Sequence, residues 1–130
     1  MSRRRSRGRR GGATAEQGSV TVEIAVALPA LVLVVAIALW GVSVAAARVA
    51  CVDAARAGAR AAARGEPLSA VRAAALRGAP SGARVAMRRD GDLTAVEVSV
   101  VLRAPALGGL PPIVVHERAV AATEPGGSAP

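Results

Sequence analysis

Between Glu23 and Arg48 the chain carries no charged residue. At about 1.5 Å of rise per residue, the roughly 24 residues from Ile24 to Ala47 make a helix longer than the ~30 Å hydrocarbon core of a bilayer. A membrane-spanning helix is the reading that fits. The rival is a cleaved secretory signal, since the start is basic and the small triplet Ala45-Ala46-Ala47 ends the run, but the apolar core of such a signal is about 7 to 15 residues long. A lipoprotein signal fits less well, because Arg48 stands three residues before Cys51, where an aliphatic residue is required. Trp40 helps to place the span. Val20 to Trp40 is about 31 Å of helix, which puts the indole at one interface, where Trp is enriched; packing on a neighbouring helix is an equal alternative.

The flanks set the expected orientation. Arg3, Arg4, Arg5, Arg7, Arg9 and Arg10 face only Glu16 before the span, whereas Arg48, Arg56, Arg60 and Arg64 follow it, offset in part by Asp53. The excess of basic residues favours a cytoplasmic N-terminus and an extracytoplasmic C-terminus. Of the net charge of +8, +5 lies in residues 1–18, and every basic residue is Arg. The absence of Lys, Asn, Tyr and Phe beside abundant Ala, Arg, Gly and Val is the pattern of a G+C-rich coding sequence. The choice of Arg therefore carries no message about phosphate recognition.

Beyond the span, residues 48–65 are dense in Ala, with Arg56, Arg60 and Arg64 along one ridge, which predicts that the helix continues outward as an Ala/Arg stalk. Its small residues, Gly58 among them, would let another helix approach. Gly65-Glu66-Pro67 ends that helix, and Leu68 to Arg77 reads as a short second one closed by Gly78 and Pro80. The period then changes to two. Arg84 to Arg89, a turn at Asp90-Gly91, and Leu93 to Leu102 with Val96, Val98 and Val100 on one face predict a hairpin. After the Pro- and Gly-rich loop 104–112, Ile113 to Ala122 makes a third strand, and the tail 124–130 is expected to be disordered. The expected organisation is a basic cytoplasmic leader (1–18), a transmembrane helix (19–47), the stalk (48–65), a small extracytoplasmic α+β domain (66–123) and the tail. A domain of roughly 60 residues with no aromatic predicts a small core and marginal stability, offset by packing against neighbouring subunits.

Little in the chain suggests catalysis. A Walker phosphate loop needs the Lys that is absent, and the lone His116 has too few companions for a zinc site or a nucleophilic triad. Neither a metal, a cofactor nor a small-molecule substrate is expected. The run RRRSRGRRGG would attract phosphates, but no aromatic is interleaved for stacking, and its place before a membrane span already accounts for it. Nucleic acid is therefore not an expected partner. Cys51 is the single cysteine, so an intramolecular disulfide is impossible; an unpaired thiol just beyond the span could join two subunits, although a small buried Cys is the commoner case.

A basic leader, Gly18, four uncharged residues, Glu23 and then an apolar helix together resemble the type IV pilin class of signal. In that class a prepilin peptidase cuts after the Gly. The longer pattern, GSVTVEIAVALPALVLVV with Leu28-Pro29 and then Ala-Arg-x-Gly-Ala-Arg over Ala55, Arg56, Gly58, Ala59 and Arg60, resembles the TadE-like family, minor pilins or pseudopilins of the tight-adherence (Tad) system. The resemblance implies cleavage between Gly18 and Ser19, with Glu23 as the fifth residue of the mature chain. It also implies other pilin subunits and the Tad assembly platform as partners, and a place in the cell membrane or, after processing, in a pilus or at the cell surface. Ser19 departs from the Phe common at that position in type IV pilins.

A carboxylate about one turn inside an apolar segment costs roughly 2.5 to 3.5 kcal/mol on insertion scales, so Glu23 needs a partner or an escape. After cleavage the Ser19 ammonium of an adjacent subunit would be that partner and would set axial register; alternatively Glu23 snorkels to the interface about 6 Å away. Pro29 leaves the Ala25 carbonyl without its helical donor and favours a kink, though membrane helices tolerate Pro. The sequence thus predicts an α+β protein: a long N-terminal transmembrane helix with an Ala-rich extension, a short helix and a three-stranded antiparallel sheet. Its expected role is structural. The alternative is a permanently anchored single-pass envelope protein that keeps its leader.

Overall fold

The computed structural model describes residues 13–105 and 108–123, with side chains from residue 17 onward. The basic run of the leader and the tail 124–130 lie outside the described residues. Five elements follow one another: helix α1 (Ala13–Ala63), helix α2 (Leu68–Gly78), and strands β1 (Arg84–Asp90), β2 (Leu93–Leu102) and β3 (Ile113–Ala122). The fold is α+β, as the sequence predicts.

Helix α1 is 51 residues long and continues through Pro29 without a break. It begins five residues ahead of Gly18, so the leader boundary expected at 18 is not a helix boundary; Ala15, Glu16 and Gln17 are ordinary helix formers that extend it. Its C-terminus is a Schellman motif. The Gly65 amide donates to the Ala62 carbonyl at 3.0 Å and the Glu66 amide to the Ala61 carbonyl at 3.2 Å, with Gly65 at φ 74°. Pro67 follows and cannot prolong the helix; its carbonyl instead accepts from Ala70 and Val71 to start α2.

The chain divides into two compact units, residues 1–38 and 39–130, with α1 contributing to both. In the first, the apolar side chains of α1 are exposed: Val26, Val32 and Val34 among others keep about two thirds of their surface. The described part of α1 is long and apolar enough to cross a membrane, and none of its most apolar stretch is buried in the protein. Thr21 and Ser43, hydroxyls on an apolar helix, each donate to the carbonyl four residues back at 2.9 Å, which satisfies them without water. The chain is thus equipped for single-pass membrane anchoring.

The second unit is a helix-on-sheet arrangement of small residues. Strands β1, β2 and β3 form an antiparallel sheet in that order, with Val85 opposite Val98, Val98 opposite Glu117, and Val100 opposite Val115. One face carries Val85, Val96, Val98, Val100 and Val115 into the core; α2 adds Val71, Ala74 and Ala75. The remainder comes from α1. Cys51, Ala54, Ala55, Ala61 and Ala62 are buried there, with Val44 and Ala47 half-buried against them.

The segment 48–65, expected as an Ala/Arg stalk ahead of a domain that begins at residue 66, shares its inward face with the core of the sheet. The segment is the central helix of the folded unit, because a sheet of Val residues needs a cover and the Ala face supplies a flat one. The core holds no aromatic and is built mostly of Val and Ala. A chain of small side chains can be well packed when its layers approach closely, as these do.

The hairpin turn is also shifted by one residue from the Asp90-Gly91 expected. Asp90 pairs with Leu93, so the loop is Gly91-Asp92, and φ is positive at Gly91 (57°) but not at Asp92. Glycine at the first central position is the II′ pattern, whose twist matches that of the strands.

Candidate functional site

The residues that the sequence singles out fall in two places. Gly18, Ser19, Glu23, Leu28 and Pro29 all lie on α1 within the first unit, and each is exposed. A Cβ placed on Gly18 would meet nothing within 4 Å. Ser19 and Glu23 are four residues apart on a helix, hence on one face and about 6 Å apart along the axis. Among the described residues Glu23 has no ion-pair partner. A carboxylate on an apolar helix surface calls for an ammonium, a guanidinium or water.

The second group, Ala55, Arg56, Gly58, Ala59 and Arg60, is brought together in the folded unit, and the structure divides it by direction. Ala55, Gly58 and Ala59 are buried, while Arg56 and Arg60 are exposed. Gly58 is the point of closest approach. A Cβ there would stand 2.9 Å from Val96 Cγ1 and 3.2 Å from Ala75 Cβ, so α1, α2 and β2 converge on a position that only hydrogen fits. The small residues read as a surface for another helix receive this chain's own α2 together with its sheet. That accounts physically for the glycine between two arginines: the glycine faces in and the arginines face solvent one turn apart.

Cys51 lies on the same inward face and is fully buried. Burial pushes its thiol up from the ordinary range, and the Glu117 carboxylate adds to the effect. An intersubunit disulfide through a fully buried thiol would require the core to open. That corrects the linking role considered for it.

Two features were not legible from the sequence. Arg48 Nε donates to Glu117 Oε1 at 2.9 Å and ties the first turn after the apolar run to β3. Arg89 Nε donates to the buried Thr94 Oγ1 at 3.3 Å and closes the far end of the core. Partners 69 residues apart leave no local signal for the first. The second falls between residues directly opposite in the β1–β2 register, a pairing that a turn at Asp90-Gly91 would not give. On the open face of the sheet Glu97 lies opposite Arg118, their charged atoms 3.7 Å apart. His116 is exposed on that same face. Among the described residues no group of three or more His, Cys, Asp or Glu is placed to hold a metal. What the geometry displays is packing: one bare apolar helix surface and one close-packed helix-on-sheet layer.

Comparison with known proteins agrees with this division. The model of the TadE-like protein family matches residues 18–60, which begins at Gly18, takes in Glu23 and Pro29, and ends at Arg60. The chain is also similar to the apoptosis inhibitor Rv3655c of Mycobacterium tuberculosis, with 38% identity over 108 residues that cover 83% of this chain and 82% of that protein. No solved structure matches. The family match thus joins the bare helix to the packed Ala55–Arg60 turn, and the chain belongs to the TadE-like family, whose members are structural, pilin-like proteins associated with Tad pilus systems.

Proposed function

We propose that this chain is a minor pilin or pseudopilin, a structural subunit that a prepilin peptidase cleaves between Gly18 and Ser19 and that then acts in assembly of a Tad-type pilus for adhesion or secretion. The observation that carries the reading is Glu23: an exposed carboxylate without an ion-pair partner among the described residues, the one charge on α1 between Gln17 and Ala47, at the fifth position after a glycine with open space around it. Cleavage at that glycine creates an ammonium on Ser19. Its counterpart is Glu23 of an adjacent subunit, and the pair fixes the axial register of one helix against the next. Leu28 and Pro29 lie one to two turns further along, where a missing backbone donor lets the helix bend as it leaves the bilayer.

In this reading residues 1–18 are a cytoplasmic leader, the helix from Ser19 crosses the cell membrane, and the folded unit is extracytoplasmic, reaching the cell surface or a pilus after processing. Its partners are the peptidase, other pilin subunits and the Tad assembly platform. Mass spectrometry of the protein extracted from membranes tests it. The expected mature N-terminus is Ser19. An N-terminus at Met1 or Ser2 would instead establish a permanently anchored envelope protein, and one beyond Ala47 a cleaved secretory signal.

A further inference from the structure

The folded unit has two unlike ends. At one, the β1–β2 turn carries Asp90 and Asp92 beside Arg89. At the other, where β2 leads into β3, Val101 lies opposite Val114 and Leu102 opposite Ile113. Val101, Leu110, Ile113 and Val114 are between 40% and 63% exposed. Pro105, Pro111 and Pro112 belong to the connection between these strands and bring no backbone donors. Arg103 is exposed among them.

The height of this apolar end along α1 follows from contacts within the unit. Gly58 of α1 faces Val96 of β2. Strand β3 runs in the same sense as α1, because Glu117 meets Arg48 while Ala119 and Ala121 line a shallow groove with Ala59 and Ala63. β2 therefore descends toward the N-terminal side of α1. From Val96 to Leu102 is six steps at about 3.3 Å, roughly 20 Å, which equals about 13 residues of helix and brings Leu102 and Ile113 level with about Ala45. Leu110, three residues earlier, reaches roughly the level of Trp40. Half-burial of Val44 and Ala47 against the core agrees with that descent.

The geometry points to a second membrane contact: the apolar end of the sheet, with Leu110, Ile113, Val114 and Val101, rests in the interfacial layer of the bilayer beside the exit of α1. This rests on the reading that α1 spans a membrane. The occupant of the patch is lipid for three reasons. The patch is level with the Trp40 turn, where a span from Val20 ends. Leu39 and Val42, both more than 60% exposed, keep α1 itself apolar on its surface at that level. Arg103 beside it suits anionic headgroups.

Site-directed fluorescence tests the contact. The full chain in a Cys51→Ala background is reconstituted into phosphatidylcholine and phosphatidylglycerol vesicles with a bimane label at Leu110→Cys, at Asp92→Cys or at Val32→Cys, and lipids with a nitroxide near the headgroup end of the acyl chain serve as quencher. Interfacial docking predicts quenching at Leu110 at least about twofold greater than at Asp92, unchanged as protein is diluted in lipid. Equal quenching at Leu110 and Asp92, with Val32 quenched, overturns the contact and leaves the anchor standing. Absence of quenching at Val32 removes the anchor and the contact with it. Shielding of Leu110 that appears only at high protein density assigns the patch to a second copy and also overturns the proposal.

Discussion

Helix α1 is one element with two surfaces of opposite design. From Ile24 to Leu39 its side chains are mostly large and aliphatic, and the large ones are exposed; from Val44 onward one side is small and buried, while Asp53, Arg56 and Arg60 keep to the other. Bulk and burial are therefore inversely arranged. Large Val, Leu and Ile side chains fill an environment that deforms around them, whereas Ala, Cys and Gly let a rigid sheet come close enough for its own Val residues to supply the volume. A hydropathy plot registers both halves as apolar, and only side-chain size separates the half that needs lipid from the half that needs protein.

The sharpest way to break this comparison is to put the same bulk at a glycine in each half. Gly58→Leu forces a Cβ to 2.9 Å from Val96 and leaves three more carbons without space, so destabilisation at or beyond the upper end of about 1–3 kcal/mol is expected. In a core of Val and Ala that is enough to lose the folded unit. Gly41→Leu meets nothing within 4 Å and should leave it unchanged. Thermal unfolding in detergent, followed by circular dichroism, measures both. Equal losses would show that the two halves of the helix are packed alike.

Why this division was hidden in the sequence is clear at particular residues. Val96, Val98 and Val100 alternate with Glu97 and Ser99, so β2 and its hairpin are legible. Gly65 and Gly78 mark the helix ends. From Ala45 to Ala63, by contrast, Ala occupies nearly every position the charges leave, so the buried and exposed faces carry the same residue and no apolar stripe stands out. The usable signal was negative: the charges at 53, 56, 60 and 64 share a side, and Cys51 and Gly58 lie off it. Of the candidate site, the Gly18–Glu23 pattern is fully legible because it is linear; the meeting of Gly58 with Val96 and of Arg48 with Glu117 is tertiary and has no local trace.

A second test sets assembly against insertion. Glu23→Val removes the one charge between Gln17 and Ala47 of the helix, so insertion should improve by roughly 2.5 to 3.5 kcal/mol while incorporation into the assembly is lost. Glu23→Asp, which keeps the charge with shorter reach, should lose incorporation in part. The amount in the membrane fraction is compared with the amount that co-purifies with sheared filaments or partner pilins. Wild-type co-purification of Glu23→Val would remove the register-setting role and leave Glu23 a snorkelling side chain.

The smallest expected effect lies where the two halves meet the sheet, at Arg48 and Glu117. Arg48 is 72% exposed and Glu117 22%, so breaking the pair with Glu117→Gln should cost at most about 1 kcal/mol. Its chemical consequence is easier to read than its stability. Burial first and the Glu117 carboxylate second hold the Cys51 thiol above its usual range. The folded state therefore disfavours the thiolate, and the sign of the linkage follows: below the unfolded value of about 8.5 the thiol is neutral in both states, and as pH rises through that value the unfolded chain loses a proton that the folded chain keeps, so stability falls. Glu117→Gln removes the second cause and leaves the first. Alkylation of Cys51 in the folded protein should then begin at a lower pH than in wild type, yet still above that of a free thiol, with the melting temperature nearly unchanged. An alkylation profile identical to wild type would mean that burial alone sets the thiol and that the carboxylate serves only to tie β3 to the helix; a profile matching a free thiol would mean that the ion pair is what keeps the small-residue face of α1 closed.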